Sequence, residues 1–182
     1  MKQIRATELN QQIQAVMQTE DWQTAIALVQ NHSEIVQTHW ELSWNLGWSY
    51  FKLDRFKDAR GHLLRATKLA PDNFACHWAL GTVYRCLRNY KKAETSLLKS
   101  LSIKDSHIAR IALALTYLEQ GRVDEAEEVH LEGLRLEPNK GERYESYGAF
   151  LLDVGREEEA QQMSRKARNL KRKKKMGQGH RV

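Results

Sequence analysis

A period of about 34 residues constrains this chain more than any other feature. The order Leu46, Gly47, Tyr50, Ala59, Leu63, Ala66, Pro71 returns 34 residues later as Leu80, Gly81, Tyr84, Ala93, Leu97, Ser100, with Asp105 in place of the proline. Thirty-three residues on it reads Leu113, Ala114, Tyr117, Ala126, His130, Gly133, Pro138, and 34 further Tyr147, Gly148, Leu151, Ala160, Ser164, Ala167. Self-similarity at such a period marks a repeat architecture, in which each unit buries its apolar face only against its neighbours. Thirty-four residues before Ala59 stands Ala25, with Trp22 ahead of it as Phe56 is ahead of Ala59, and Leu9, Ile13 and Val16 give an apolar face upstream. Residues 6–39 therefore read as a divergent first unit.

Within each unit two helical patterns meet at a short break: "LDRFKDA", "LRNYKKA", "EQGRVDEA" and "DVGREEEA". A polar residue or glycine ends one helix there and the next begins. Only two prolines and ten glycines occur in 182 residues, with long stretches of Ala, Leu, Glu, Gln, Lys and Arg, a composition that favours helix. The small residues Gly47, Gly81, Ala114 and Gly148 let paired helices approach closely, and Ala59, Ala93, Ala126 and Ala160 do the same from the opposite side. Pro71 and Pro138 stop a second helix where the next unit starts.

This pattern resembles the tetratricopeptide repeat family over roughly residues 6–172, most fully in "WELSWNLGWSYFKLDRFKDARGHLLRATKLAPDN" at 40–73. The resemblance implies an all-α fold, a right-handed solenoid of antiparallel helix pairs whose concave face is lined by the first helix of each pair. The expected organisation is a divergent helix pair at 1–39, repeats at 40–73, 74–106 and 107–140, a degenerate or capping pair at 141–172, and a basic disordered tail at 173–182. Such repeats mainly supply surfaces for binding other proteins, so the expected function is a non-enzymatic adaptor, scaffold or chaperone-like module.

"WELSWNLGWSYF" at 40–51 places Trp40, Trp44, Trp48 and Phe51 on one helical stripe. The repeat frame assigns core duty to Ser43, Leu46, Gly47 and Tyr50, centred about 110° around the helix from that stripe at about 100° per residue. In the family the positions of Trp44, Trp48 and Phe51 face the groove. The equivalent positions are Trp78, Thr82 and Arg85, then Ile111, Leu115 and Leu118, then Glu145, Ala149 and Leu152. An apolar or amphipathic protein segment is therefore expected across Trp44, Trp48, Phe51, Trp78, Ile111 and Leu115, with self-association as another way to fill the groove. Trp40 is expected to tuck under the first unit. Two or three open tryptophans would exceed the few hundred Å² of apolar patch that monomers tolerate, so something should cover them. The family's grip on C-terminal carboxylates is not expected, because its Lys, Asn and Arg positions are occupied here by Trp44, Trp48, Ala79, Ile108 and Ala112.

No phosphate loop, dinucleotide fingerprint, nucleophile elbow or zinc-protease motif occurs, and His62, His77, His107 and His130 lack partners at metal-ligand spacing. No enzymatic activity and no cofactor or metal is expected. Cys76 and Cys86, ten residues apart without a CxxC, suit a reduced cytoplasmic setting. The N-terminus has no apolar run behind its basic residues, and no stretch approaches a membrane span.

The formal charge of +6 is concentrated at one end: residues 165–182 hold nine Lys/Arg and no acid. Lys171, Arg172, Lys173, Lys174 and Lys175 form the electrostatic tail. Two readings stay open: a solubilising end, or an arm for nucleic acid, an acidic partner or an anionic membrane surface. The alternative function is accordingly a nucleic-acid or ribosome-associated accessory factor. No aromatic is interleaved, so contact would be to phosphates rather than to stacked bases.

Overall fold

The computed structural model describes residues 5–178, and among these every regular element is an α-helix. In chain order they are α1 (Ala6–Gln18), α2 (Trp22–Gln30), the short α3 (Ser33–Val36), α4 (Trp40–Lys52), α5 (Phe56–Leu69), α6 (Phe74–Cys86), α7 (Tyr90–Ile103), α8 (His107–Leu118), α9 (Val123–Leu136), α10 (Gly141–Asp153) and α11 (Glu157–Gln178). They fall into two compact units that divide between Asp105 and Ser106. In the first, α1 packs on α2, α4 on α5 and α6 on α7, with α2 against α4 and α5 against α6. In the second, α8 packs on α9, α9 on α10 and α10 on α11.

The period is written into the turns as well as the helices. Glu20, Asp54, Arg88, Gly121 and Gly155, spaced 33 or 34 residues apart, all have left-handed backbone, with φ between 55° and 79°. In the last four turns the next amide reaches back five residues: Arg55 N–H donates to the Tyr50 carbonyl at 2.9 Å, Asn89 to Tyr84 at 2.9 Å, Arg122 to Tyr117 at 3.0 Å and Arg156 to Leu151 at 2.8 Å. This bond gives the Tyr84 and Leu151 carbonyls a partner at the helix end, adds to the Leu53 and Gln120 amides already on the Tyr50 and Tyr117 carbonyls, and bends the chain back. The residue that follows also anchors the next helix. Arg55 lies over the Tyr50 ring and pairs with Asp58, and Arg122 lies over Tyr117 and pairs with Glu125.

Small residues set the spacing of the pairs. A Cβ on Gly47 would lie 2.6 Å from Leu63 Cγ and 3.2 Å from the Ala59 carbonyl; on Gly81 it would lie 2.6 Å from Leu97 Cγ and 3.2 Å from the Ala93 carbonyl. Each leucine is fully buried over its glycine, so the interhelical distance is fixed by the missing methyl. The first unit has one continuous apolar cluster, from Leu9 and Ile13 on α1 through Ala25, Ile26 and Val29 on α2 to Val83 and Tyr84 on α6.

The sequence places the end of the last helix near Lys174 and a disordered tail from residue 173; α11 instead continues to Gln178. Residues 171–176 are lysine, arginine and methionine, good helix formers with only Gly177 after them to interrupt. Residues 179–182 of that expected tail lie outside the described residues.

Candidate partner-binding face

Helix α4 is enclosed on most of its circumference. Ser43, Leu46, Gly47 and Tyr50 are buried as the repeat frame requires, but so are Leu42, Asn45 and Ser49 on the flank facing the N-terminal helices. Polar links secure that flank: Asn45 Nδ2 donates to Asn10 Oδ1 at 2.7 Å, Ser43 Oγ to the Val36 carbonyl at 2.9 Å and Gln30 Nε2 to the Tyr50 hydroxyl at 2.9 Å. What remains half-exposed is the arc carrying Trp40, Trp44, Trp48 and Phe51.

Those rings assemble into a ladder. Trp44 and Trp48 stack with centroids 5.5 Å apart and planes 10° from parallel, and Trp48 stacks on Phe51 at 4.7 Å. Trp78 of α6 meets Trp48 at 5.0 Å, and Phe56 of α5 closes on Phe51 at 5.8 Å. Trp44 also donates its indole N–H to the Ala75 carbonyl at 3.3 Å. Each ring pair is worth about 0.5–1.5 kcal/mol beyond its area burial, so the ladder is held in shape before any ligand arrives. The partial cover that the sequence demanded for this much aromatic surface is thus supplied by the aromatics themselves, each ring leaning on the next along the outer edge of the core. Trp40 is half-buried and joins no described ring contact. Thr82, a groove position in the repeat frame, is buried instead, its hydroxyl donating to the Trp78 carbonyl at 3.0 Å.

In the second unit Ile111 and Leu115 come together with Ala114 and Leu118 of α8 and with Ser146, Ala149, Phe150 and Asp153 of α10 around a cleft of about 160 Å³. His130 of α9 lines it too, 8% exposed and lying 5.2 Å from the Phe150 ring and 5.9 Å from the Tyr147 ring. Burial, reinforced by the nearby His107 and opposed by Glu127, pushes the His130 pKa down to about 4. The imidazole is therefore neutral near pH 7. Leu152 faces away at 57% exposure, and Glu145 is taken up in an ion pair with Lys171 at 2.6 Å.

Two polar centres of this unit have no signature in the repeat pattern. Arg143, only 4% exposed, forms an ion pair with Glu137, and Gly133 leaves room for its side chain. Glu127 accepts from the Tyr147 hydroxyl and from Arg156 at 2.7 Å. Burial pushes Glu127 upward, but these hydrogen bonds win and hold it below the usual carboxylate range, while burial and Glu127 itself raise Tyr147 to about 12. A buried arginine at a repeat's first helix could only have been found by noticing that Gly133 stands where other units have Ala66, Ser100 and Ala167.

Of the tail residues, Lys171, Arg172, Lys173 and Lys174 are exposed on α11, and the side chain of Lys175 lies outside the described residues. Cys76 is a buried free thiol, pushed up to about 12 by burial with Glu41 adding to the rise. Among the described residues no group of three or more His, Cys, Asp or Glu could hold a metal ion, and no helix is long and apolar enough to cross a membrane.

Comparison with known proteins agrees with the geometry. The chain is 26% identical over 168 residues to human protein O-mannosyl-transferase TMTC3, and to the mouse protein to the same extent. The match covers 84% of this chain but only 18% of those relatives, so the chain spans less than a fifth of their length. Among solved structures it is similar to a crystal structure of MamA, with a TM-score of 0.70 at 19% identity, covering 96% of this chain and 99% of that one. It is likewise similar to MamA from residue 41 onward from Desulfovibrio magneticus RS-1, with a TM-score of 0.71 at 17% identity and coverage of 92% and 96%; at such identities the likeness is one of fold alone. Tetratricopeptide repeat profiles match residues 40–73, 75–107 and 109–144. With more than half of its length matched in consecutive repeats, and with paired helices locked glycine to leucine, the chain belongs to the tetratricopeptide repeat family, a family of protein-interaction and scaffold modules.

Proposed function

We propose that Trp44, Trp48, Phe51 and Trp78 bind an apolar or amphipathic segment of a protein partner, and that Ile111 and Leu115 accept an apolar side chain in the cleft of the second unit. The chain acts as an adaptor or chaperone-like scaffold and catalyses no reaction. The observation that carries this reading is the ladder itself: several large rings, stacked or tilted against one another in one array, each leaving part of its surface to solvent. Rigid aromatics are the side chains that dominate interface energetics, because they bring contact area at small entropic cost. The cleft adds a pocket about the size of one large aliphatic side chain, with Asp153 at its rim. A reducing, cytoplasmic setting suits the free thiols of Cys76 and Cys86.

The test pairs Trp48→Ala with Trp78→Ala in one chain and compares partner capture with that of the unaltered protein. Capture should fall at least about tenfold, the loss of one good anchor, while helicity by circular dichroism is retained. If the double variant melts out of its helical state instead, the rings are core and the reading fails. A change of oligomeric state in the same variant would identify the occupant as a second copy of the chain.

A further inference from the structure

Helices α5, α7 and α9 each run 14 residues, whereas α11 runs 22 against the 13 of its partner α10. The level at which α10 begins is fixed by Gly141, whose added Cβ would lie 3.0 Å from the Ala167 carbonyl and 3.4 Å from Lys171 Cγ. Residues 172–178 therefore project past the start of α10, by about 10 Å at 1.5 Å per residue. Ala160 and Ala167 are buried and Leu170 is half-buried on the side facing α10. Lys174 falls on that same side one turn later and is exposed, because α10 has ended.

The projecting segment carries cationic positions on every side. Arg172, Lys173, Lys174 and Lys175 occupy successive positions of the helix at about 100° each, so together those positions encircle it. No Asp or Glu occurs after Glu159. Lys171 is paired with Glu145, but Arg165, Arg172, Lys173 and Lys174 have no ion-pair partner among the described residues. The only large apolar side chain described beyond Leu170 is Met176, 75% exposed, so the segment has no apolar face with which to enter a lipid interface. No aromatic residue follows Phe150, so it has no platform for unpaired bases.

A basic rod without a neutral side is matched by a groove walled with anions on both sides. An α-helix is about 10–12 Å across with its side chains, and the major groove of B-form DNA is about 12 Å wide with a phosphate backbone along each edge. We infer that the overhanging end of α11 is a docking element for duplex DNA, contacting phosphates of both strands and reading no base sequence. Exposed cations that cross no protein contact carry no cost of broken pairs on binding, and their gain is the release of counterions from the phosphates.

The experiment measures anisotropy of a labelled 20-base-pair duplex with the full chain between 50 and 200 mM salt, beside the same sequence as a single strand and vesicles of phosphatidylcholine with phosphatidylserine. With about four phosphates neutralised, duplex affinity should fall about 10²-fold across that range. Replacing Arg172, Lys173 and Lys174 together by Gln should flatten the log–log salt slope by close to 3, with melting unchanged because none of the three is packed. Equal affinity for the single strand or the vesicles overturns the duplex assignment. So does an unchanged slope in the triple variant, or no binding by the unaltered chain at 50 mM salt.

Discussion

Leu63 and Leu97 in the first unit each close over a glycine of the facing helix, while the equivalent positions in the second unit hold His130 and Ser164. The same repeat frame thus produces two kinds of interior. In the first unit a branched side chain seats against a missing methyl, and aromatic rings spread over its edge. In the second, Ala114 faces His130, Gly148 faces Ser164 with its nearest neighbours no closer than 3.4 Å, and a small apolar cleft persists beside them. Cohesion there draws on polar contacts, the Arg143–Glu137 pair and the group of Glu127, Tyr147 and Arg156. The period tells where helices meet; the residue in the lock decides how tightly.

The largest expected effect lies in that lock. Leu63→Ala or Leu97→Ala should lower unfolding free energy by about 2–5 kcal/mol in denaturant titrations, since each empties a fully buried site. Ser164→Ala, at the same repeat position but exposed, should stay within about 0.5 kcal/mol. Equal losses would dissolve the contrast between the units.

Acid should act on the second unit through His130. Its pKa is about 4 in the folded chain against an ordinary value near 6.5, so between those values the unfolded chain binds the extra proton. The neutral imidazole's contribution is complete above about pH 6.5 and declines as the pH falls toward 4. The total is up to about 3 kcal/mol at 1.36 kcal/mol per pKa unit. Stability measured across this window in His130→Phe should lose that part of its slope.

Methyl insertion separates the units more finely. Gly47→Ala and Gly81→Ala drive a Cβ to within 2.6 Å of a buried leucine and should cost about 1–3 kcal/mol, with Gly148→Ala below about 1 kcal/mol. The smallest effect belongs to the turns. The first unit holds its left-handed positions with Glu20, Asp54 and Arg88, the second with Gly121 and Gly155. Arg88→Gly should therefore be neutral or stabilising by a few tenths of a kcal/mol, and Gly155→Ala destabilising by about 1 kcal/mol, read from thermal melts.

The helix pairs and their seams were legible because small residues recur at a fixed period, and only a small residue fits where two backbones meet. Ile111 and Leu115 were legible as neighbours because the repeat frame puts them four residues apart on one face of a helix, and they do line one cleft. Burial of Leu42, Asn45 and Ser49 was not, since it depends on the N-terminal helices, whose repeat signature is weak; nothing in "ELSWNLGWS" tells the polar pair Asn45 and Ser49 from solvent-facing residues. Left-handed geometry at Asp54 and Arg88 was hidden because most side chains avoid it, so the letters read only as a polar break. The aromatic stripe was visible as a stripe. That its members would lean, tilted, against Trp78 and Phe56 follows from the packing of α4 against α5 and α6, which spacing along one helix does not contain.

The back-reaching amide bond at the last four turns also bears on how the chain is made. Because Arg55, Asn89, Arg122 and Arg156 all bond to carbonyls only five residues upstream, each bend is defined without help from any distant segment. A growing polypeptide can set the reversal as soon as the first helix and the next few residues have emerged. Its apolar face is then covered by the helix that follows directly in synthesis, and contacts so short in sequence favour rapid assembly. The order of translation and the order of burial therefore run in the same direction, from one hairpin to the next.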